Sequence, residues 1–182
     1  MSARAFAATL GVLAVIALLG FGLASKGGAE IAIGDSVPDA ELPLLDGDGS
    51  ASLADYRGRW VLINFWASWC DPCRAESPAL EKFQRKHSGP AFTVLGINQR
   101  DLTGDAEEFI AEYGLTYPQL RDAEGERAEP YGMSGLPESF LIDPQGRIAL
   151  IRRGPVDERY LDRYVAPLVT AATEKGDSPS SS

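Results

Sequence analysis

The sequence has 182 residues, of which 45% are hydrophobic and 24% are charged. This size and composition fit one globular domain with terminal segments, and they exclude a small scaffold that depends on several disulfides. The formal net charge is -9 at pH 7, and the basic residues are scattered among more numerous acids. Because no basic stripe is present to bind phosphates, nucleic acid is not an expected partner.

The chain contains only one His and two Cys, too few of the soft and imidazole ligands that a transition-metal site requires. A haem attachment site would place His directly after the second cysteine, where this chain has Arg74. We therefore expect no metal and no cofactor, and the two cysteines must act by themselves.

The first segment with a clear pattern runs from Ala5 to Ala24 and contains no charge, with Arg4 before it and Lys26 after it. Its length predicts a helix that spans a bilayer, used as an uncleaved anchor. A cleaved signal peptide is the alternative, because Gly22, Leu23 and Ala24 could form a cleavage site. Either interpretation places the rest of the chain outside the cytoplasm.

Composition divides the chain into five parts. We predict a cytoplasmic N-terminus at 1–4, a transmembrane anchor at 5–24, a linker at 25–32, a folded domain at 33–173 and a disordered tail at 174–182.

Within the domain, predicted strands and helices alternate. A hairpin around 46–49 and one helical turn closed by Gly58 come first, and the apolar run Trp60–Ala67 predicts a strand buried on both faces. The other predicted elements are a helix from about Cys70 to Lys86, a buried strand at 92–98, a helix from about Asp105 to Tyr113, an extended piece at 117–122, two strands at 138–143 and 147–153 joined by a turn, and a last helix at 157–172 with Leu161, Tyr164, Val165 and Leu168 on one face. This order predicts an α/β fold whose mixed sheet is parallel early, antiparallel at the end and covered by helices on both faces.

Cys70 and Cys73 lie where the buried strand passes into a helix. Cys70 is therefore predicted at the helix N-terminus, where free backbone N–H groups and the positive end of the helix dipole stabilise a thiolate. We predict that Cys70 attacks a disulfide and that Cys73 resolves the mixed disulfide. Pro72 suits the first helical turn. A purely structural disulfide is disfavoured, because so small a loop constrains the unfolded chain little.

Two stretches carry a family resemblance: NFWASWCDPCRAESP (64–78) and MSGLPESFLIDPQGRI (133–148). With the weaker match of residues 34–67, they resemble the thioredoxin fold and, within it, the extracytoplasmic thiol–disulfide reductases of the TlpA, ResA and CcmG (DsbE) kind. The resemblance implies a three-layer α/β/α domain with an N-terminal hairpin and an insertion at about 101–130.

The resemblance also implies roles for individual residues. Cys70 is the exposed nucleophile, Cys73 is the buried resolving thiol, and Leu136–Pro137 is a cis peptide that faces the cysteines and binds an extended substrate. The remaining expected substrate contacts are Trp69, Asp71 and Pro72. For Trp69, plain packing is the alternative to substrate contact.

Glu76 matches an acid that the ResA-like group keeps three residues after the second cysteine. The resemblance implies that Glu76 moves protons to and from the thiols and raises their pKa when ionised. The alternative is a surface helix residue paired with Arg74 or Lys82. Asn64 departs from thioredoxins, which have a buried acid at that position, and this shifts the acid role toward Glu76.

These observations predict a membrane-tethered protein-disulfide reductase on the outer side of the cytoplasmic membrane. Its expected partners are client proteins with disulfides, such as apocytochrome c, and a membrane thiol transporter that supplies electrons; we expect a monomer. A disulfide donor remains the nearest alternative. A peroxiredoxin-type peroxidase is disfavoured because Ala67 replaces the threonine expected three residues before Cys70. A non-catalytic binding module is the remaining alternative.

Overall fold

The computed structural model describes residues 31–45 and 47–170. The predicted anchor, most of the linker and the predicted tail lie outside these ranges. No helix within them is long and apolar enough to cross a membrane. Ile31, predicted in the linker, is buried in the core, so the folded unit begins two residues before the predicted boundary.

The strands form a hairpin and a five-stranded sheet. The hairpin pairs β1 (Leu42–Pro43) with β2 (Ser50–Ala51), as the sequence predicts. The sheet has the order β5-β4-β3-β6-β7, where its members are β3 (Trp60–Trp66), β4 (Phe92–Gln99), β5 (Gln119–Asp122), β6 (Glu138–Ile142) and β7 (Ile148–Arg153). Strands β3, β4 and β5 are parallel, whereas β6 and β7 are antiparallel to their neighbours. The mixed sheet is therefore confirmed.

The main helices are α1 (Asp71–His87), α2 (Thr103–Tyr113) and a last helix, α3, that begins at Glu158. Helix α1 follows β3 because Cys70 caps it and Pro72 lies in its first turn, where a missing N–H costs nothing. A single 3₁₀ turn at Leu53–Tyr56 follows the hairpin.

All three helices pack on one face of the sheet. Their buried side chains share one core cluster with Leu62 and Trp66 of β3. Both parallel crossovers step in the same direction along the sheet, so right-handed connections place α1 and α2 on the same side. The opposite face, with Ile63 and Phe65, is covered by Leu53 of the 3₁₀ turn and Tyr131 of the loop before β6. The predicted thioredoxin-like class is thus confirmed, but the second covering layer contains no long helix among the described residues.

The last helix corrects one expectation. Tyr164 and Leu168, predicted to share a buried face with Leu161 and Val165, are 46% and 39% exposed. A π-helical turn at Leu161–Val165 changes the helical phase, and Leu161, Val165 and Val169 are the residues that reach the core.

Candidate active site

The two cysteines form a disulfide at the N-terminus of α1. Cys70 is the N-cap, its Sγ accepts a 3.2 Å hydrogen bond from the backbone N–H of Cys73, and the Cα atoms of the pair are 5.2 Å apart. A thiolate at this sulfur would be stabilised by the same N–H and by the helix dipole. The geometry thus fits Cys70 as the attacking thiol and Cys73 as the resolving thiol.

Cys70 is less exposed than the family resemblance implied. In the disulfide form Cys70 is 4% exposed and Cys73 is fully buried. The Cys70 sulfur turns inward because it bonds the buried sulfur of Cys73 and accepts the helical N–H. The expectation of an exposed nucleophile is therefore wrong for the oxidised protein, although Cys70 remains the more accessible of the pair. Asp71 and Pro72 flank it on the surface.

The Leu136–Pro137 peptide bond is cis, as the resemblance implied. Glu138, which follows it, is 1% exposed and holds the loop from within. Its Oε1 accepts hydrogen bonds from the backbone N–H and hydroxyl of Ser134 and from the N–H of Gly135. Its Oε2 pairs with Arg153 at 2.5 Å. The sequence did not predict this role for Glu138, because the pattern does not distinguish a buried glutamate in a strand from a solvent-exposed one.

Trp69 lies beside a cleft that joins the disulfide loop to the cis-proline loop. The indole is 60% exposed, and its Nε1 donates a 3.1 Å hydrogen bond to the backbone carbonyl of Arg100. The cleft has a volume of about 230 Å³ and is lined by Trp69, Gln99, Arg100, Ala128, Met133, Ser134, Gly135 and Leu136. An aromatic face left open beside a redox disulfide can receive a client segment.

Glu76 is buried within α1, one turn beyond Cys73, at 1% exposure. Its Oε1 accepts a 2.7 Å hydrogen bond from the amide of Asn64, and its Oε2 accepts a 2.9 Å bond from the backbone N–H of Val156. The alternative of a surface ion pair is wrong, because Arg74 pairs with Glu112 and Lys82 pairs with Glu158.

Burial raises the pKa of Glu76 from 4.5 to about 7, against the opposing effects of the bonds from Val156 and Asn64 and of the charge of Arg152. The carboxyl can therefore exchange a proton near neutral pH, as a general acid and base requires. Glu76 lies at the edge of an open depression of about 540 Å³, which Arg152, Val156 and Tyr160 also line. The nearly buried carboxyl therefore lies next to open space.

The loop before Cys70 is fixed by residues that sequence reasoning did not single out. Ser68 donates its N–H and its hydroxyl to the carboxylate of Asp101, at 2.6 and 2.7 Å. The Ser68 carbonyl accepts a 3.0 Å bond from Nε of Arg74. A buried Ser and Asp that are 33 residues apart show no common pattern in one sequence, so their contact was not predictable.

A family model described as AhpC/TSA family matches residues 33–151. The chain belongs to the AhpC/TSA family. It is 30% identical over 160 residues to a protein named thiol-disulfide oxidoreductase ResA from Geobacillus thermodenitrificans, which covers 86% of this chain and 91% of that one. It is 37% identical over 127 residues to the thiol:disulfide interchange protein DsbE of Pseudomonas fluorescens biotype C, with 69% of each chain covered.

Among solved structures, the chain is similar to a secreted thiol-disulfide isomerase from Corynebacterium glutamicum. The TM-score is 0.68 at 29% identity, over 80% of this chain and 95% of that chain. These relatives and the disulfide at the helix N-terminus identify the site as that of a thiol–disulfide oxidoreductase. The buried Ala67 offers no hydroxyl three residues before Cys70, where the peroxidase alternative required a threonine.

Proposed function

We propose that the protein reduces disulfides of client proteins on the outer side of the cytoplasmic membrane, to which residues 5–24 anchor it. The observation that carries the reducing direction is the buried carboxyl of Glu76, one helical turn beyond Cys73. A negative charge there opposes a thiolate, and a less stable thiolate form makes the dithiol a better electron donor.

The reaction begins with the reduced pair. The Cys70 thiolate attacks one sulfur of the client disulfide, so a Cys70–client bond forms while the client S–S bond breaks and one client thiolate leaves. The Cys73 thiolate then attacks the Cys70 sulfur, which releases the second client thiolate and closes the Cys70–Cys73 disulfide. Two electrons pass to the client, and its two thiolates take up two protons, equal to those that the cysteine pair gave up.

Glu76 is the group placed to handle the proton of Cys73. Cys73 is fully buried and must lose its proton before it can attack. A carboxylate three residues further along the helix lies on the same helical face, and its pKa of about 7 lets it accept that proton and pass it to the open depression beside Arg152.

The client binds as an extended segment along the cis-proline loop in this proposal. The backbone of Leu136 takes part in none of the hydrogen bonds among the described turns and loops, so its N–H and C=O are available to an added strand. Trp69 lines the cleft, and the exposed Asp71 and Pro72 follow the attacking cysteine, where the client would also pass. Apocytochrome c is a client of suitable chemistry, because its two haem-binding thiols must be reduced before haem attaches.

The electron donor in this proposal is a membrane thiol transporter, since an oxidising compartment does not keep a dithiol reduced. A redox titration of the whole chain in glutathione buffers tests the direction. We expect a potential close to the value of about -270 mV for thioredoxin, and a value close to about -120 mV, as for DsbA, would assign the protein as a disulfide donor instead.

Replacing the resolving thiol tests the client. Cys73→Ser is expected to accumulate a mixed disulfide through Cys70, since the second attack cannot occur. The matched control is Cys70→Ser, which should trap little because the remaining cysteine is buried. Equal trapping by both variants would contradict the assigned order of attack. Protease accessibility of the domain in intact cells tests its side of the membrane.

A further inference from the structure

A buried carboxylate outside the cysteine motif is bonded to the loop that delivers Cys70. Asp101 follows the end of β4 and is 9% exposed. Besides its two bonds to Ser68, its carboxylate accepts a 2.8 Å hydrogen bond from the side-chain amide of Asn98 and a 3.0 Å hydrogen bond from the backbone N–H of Leu102. Four donors therefore converge on one carboxylate, and none of the ion pairs in the described ranges neutralises it.

The residue before Asp101 holds the next residue of the same loop. The carbonyl of Arg100 accepts the indole N–H of Trp69. Arg100 has a φ of 46°, a left-handed conformation that is uncommon for a residue other than glycine, and its Nε is tied to the carbonyl of Glu124. Two successive residues after β4 thus fix two successive residues before Cys70.

Ser68 is bonded at every polar atom it has. Its N–H and hydroxyl donate to Asp101, and its carbonyl accepts from Arg74. Arg74 belongs to α1, the helix that Cys70 caps. The loop is therefore held between the segment after β4 and the helix that stabilises the thiolate.

We propose that Asp101 is a positioning residue that keeps the Cys70 sulfur at the N-cap of α1 by fixing Ser68. The inference rests on the thiol–disulfide chemistry of the family and not on the direction of electron flow. Loosening the loop would draw the Cys70 sulfur away from the N–H of Cys73 and the helix dipole, which weakens the thiolate and slows its attack.

Asp101→Asn is the variant that tests this role. Asparagine keeps the size but places an amide N–H₂ against donors that need an acceptor. The matched control is Asp122→Asn, because Asp122 is also a buried aspartate, and it accepts bonds from Gln99, Glu126 and Arg127 away from the cysteine loop.

The measurements are made on the reduced full-length chain. We expect Asp101→Asn to move the pH midpoint of iodoacetamide alkylation at Cys70 upward and to slow insulin reduction about tenfold, equal to ~1.4 kcal/mol. Asp122→Asn should keep the wild-type midpoint of alkylation at Cys70. A downward shift would overturn the proposal, because it is what loss of a nearby negative charge alone would produce. Equal effects of the two variants would overturn it as well.

Ser68→Ala gives a second test that does not depend on the folding of Asp101→Asn. It removes the hydroxyl bond to Asp101 and leaves the backbone bond in place. We expect alkylation at neutral pH to slow roughly threefold, in the same direction as Asp101→Asn. An unchanged rate would overturn the proposal. The alkylation result stands even if the wild-type protein proves to be a disulfide donor, so the two proposals fail separately.

Discussion

The side-chain amide of Asn64 donates a 2.7 Å hydrogen bond to the buried carboxyl of Glu76. Asn64 lies in the middle of β3, and Glu76 lies on α1, 12 positions further along the chain. The same amide donates a 3.1 Å hydrogen bond to the hydroxyl of Ser139 on β6. Asn64 thus occupies the strand position at which thioredoxins have an acid, and its side chain here binds the acid on the helix, Glu76. The site therefore contains a buried carboxyl, supplied by α1 and not by the central strand.

The raised pKa of Glu76 makes stability depend on pH in a defined direction. Between pH 4.5 and about 7 the folded state binds more protons than the unfolded state, so the free energy of unfolding falls as pH rises through that window. Above pH 7 the free energy of unfolding is lower than at low pH by the full amount, about 3 kcal/mol. We expect Glu76→Gln to remove this slope, as measured by urea unfolding of the oxidised protein at pH 4 and pH 8.

The comparison uses the oxidised protein so that the cysteines do not titrate. Burial lowers the pKa of His87, which makes stability rise with pH in the range just below 6.5. That contribution is present in both proteins and cancels in their difference. If the stability difference between Glu76→Gln and wild type were the same at the two pH values, the pKa of Glu76 would not be raised by folding. The carboxylate would then be too weak a base near neutral pH to take the proton of Cys73 efficiently.

Asn64→Asp tests the contact between strand and helix directly. A second carboxyl at hydrogen-bond distance from Glu76 cannot ionise together with it, so the pair retains a proton at neutral pH. We expect the variant to lose about 2 kcal/mol or more of stability at pH 8 and much less at pH 4. The change in denaturation midpoint at the two pH values measures this. A pH-independent loss would instead indicate a packing defect.

Most of the fold could be predicted from local signals. The apolar run of β3, the cysteine cap of α1 and the turn between β6 and β7 each act within a few residues, and each was placed to within about two residues. The buried face of the last helix was not predicted correctly, because the π-helical turn at Leu161–Val165 changes which residues face the core. A helical period of 3.6 assumes that no such insertion occurs.

The site was predictable only where a motif carries it. The cysteine pair, Glu76 and the cis-proline loop follow one another in recognisable stretches. Asp101 and Glu138 do not, since each acts through contacts that the folded sheet brings together. The burial of Glu76 was also open at the sequence level, because its neighbours Arg74 and Lys82 offered equally good surface partners until the structure paired them with Glu112 and Glu158.

Trp69 and Trp66 provide a matched pair for client contact. Trp69 is 60% exposed and Trp66 is 2% exposed, with its ring stacked on Phe109. We expect Trp69→Ala to raise the KM for a disulfide-containing client peptide several-fold while lowering Tm by only a few degrees. Trp66→Phe should lower Tm more and leave KM unchanged, because it affects only the core. Should Trp69→Ala leave KM unchanged, the indole would serve packing alone.

Glu138 and Arg153 form the ion pair that holds the cis-proline loop. Glu138→Gln removes the charge that attracts Arg153 while keeping an oxygen for the three donors of Ser134 and Gly135. We expect a loss of about 2 kcal/mol in the free energy of unfolding, since a charged hydrogen bond of a buried carboxylate is replaced by a neutral one. Glu126→Gln is the control: its pair with Arg127 is mostly exposed on the glutamate side, and such pairs contribute about 0–1 kcal/mol.

Because the Oε1 contacts survive, client reduction by Glu138→Gln should slow only in proportion to loosening of the loop. Urea unfolding and insulin reduction, measured on the same samples, separate the two effects. A slower reaction without any loss of stability would mean that the Glu138 carboxylate acts on the thiols by its charge and not through the loop.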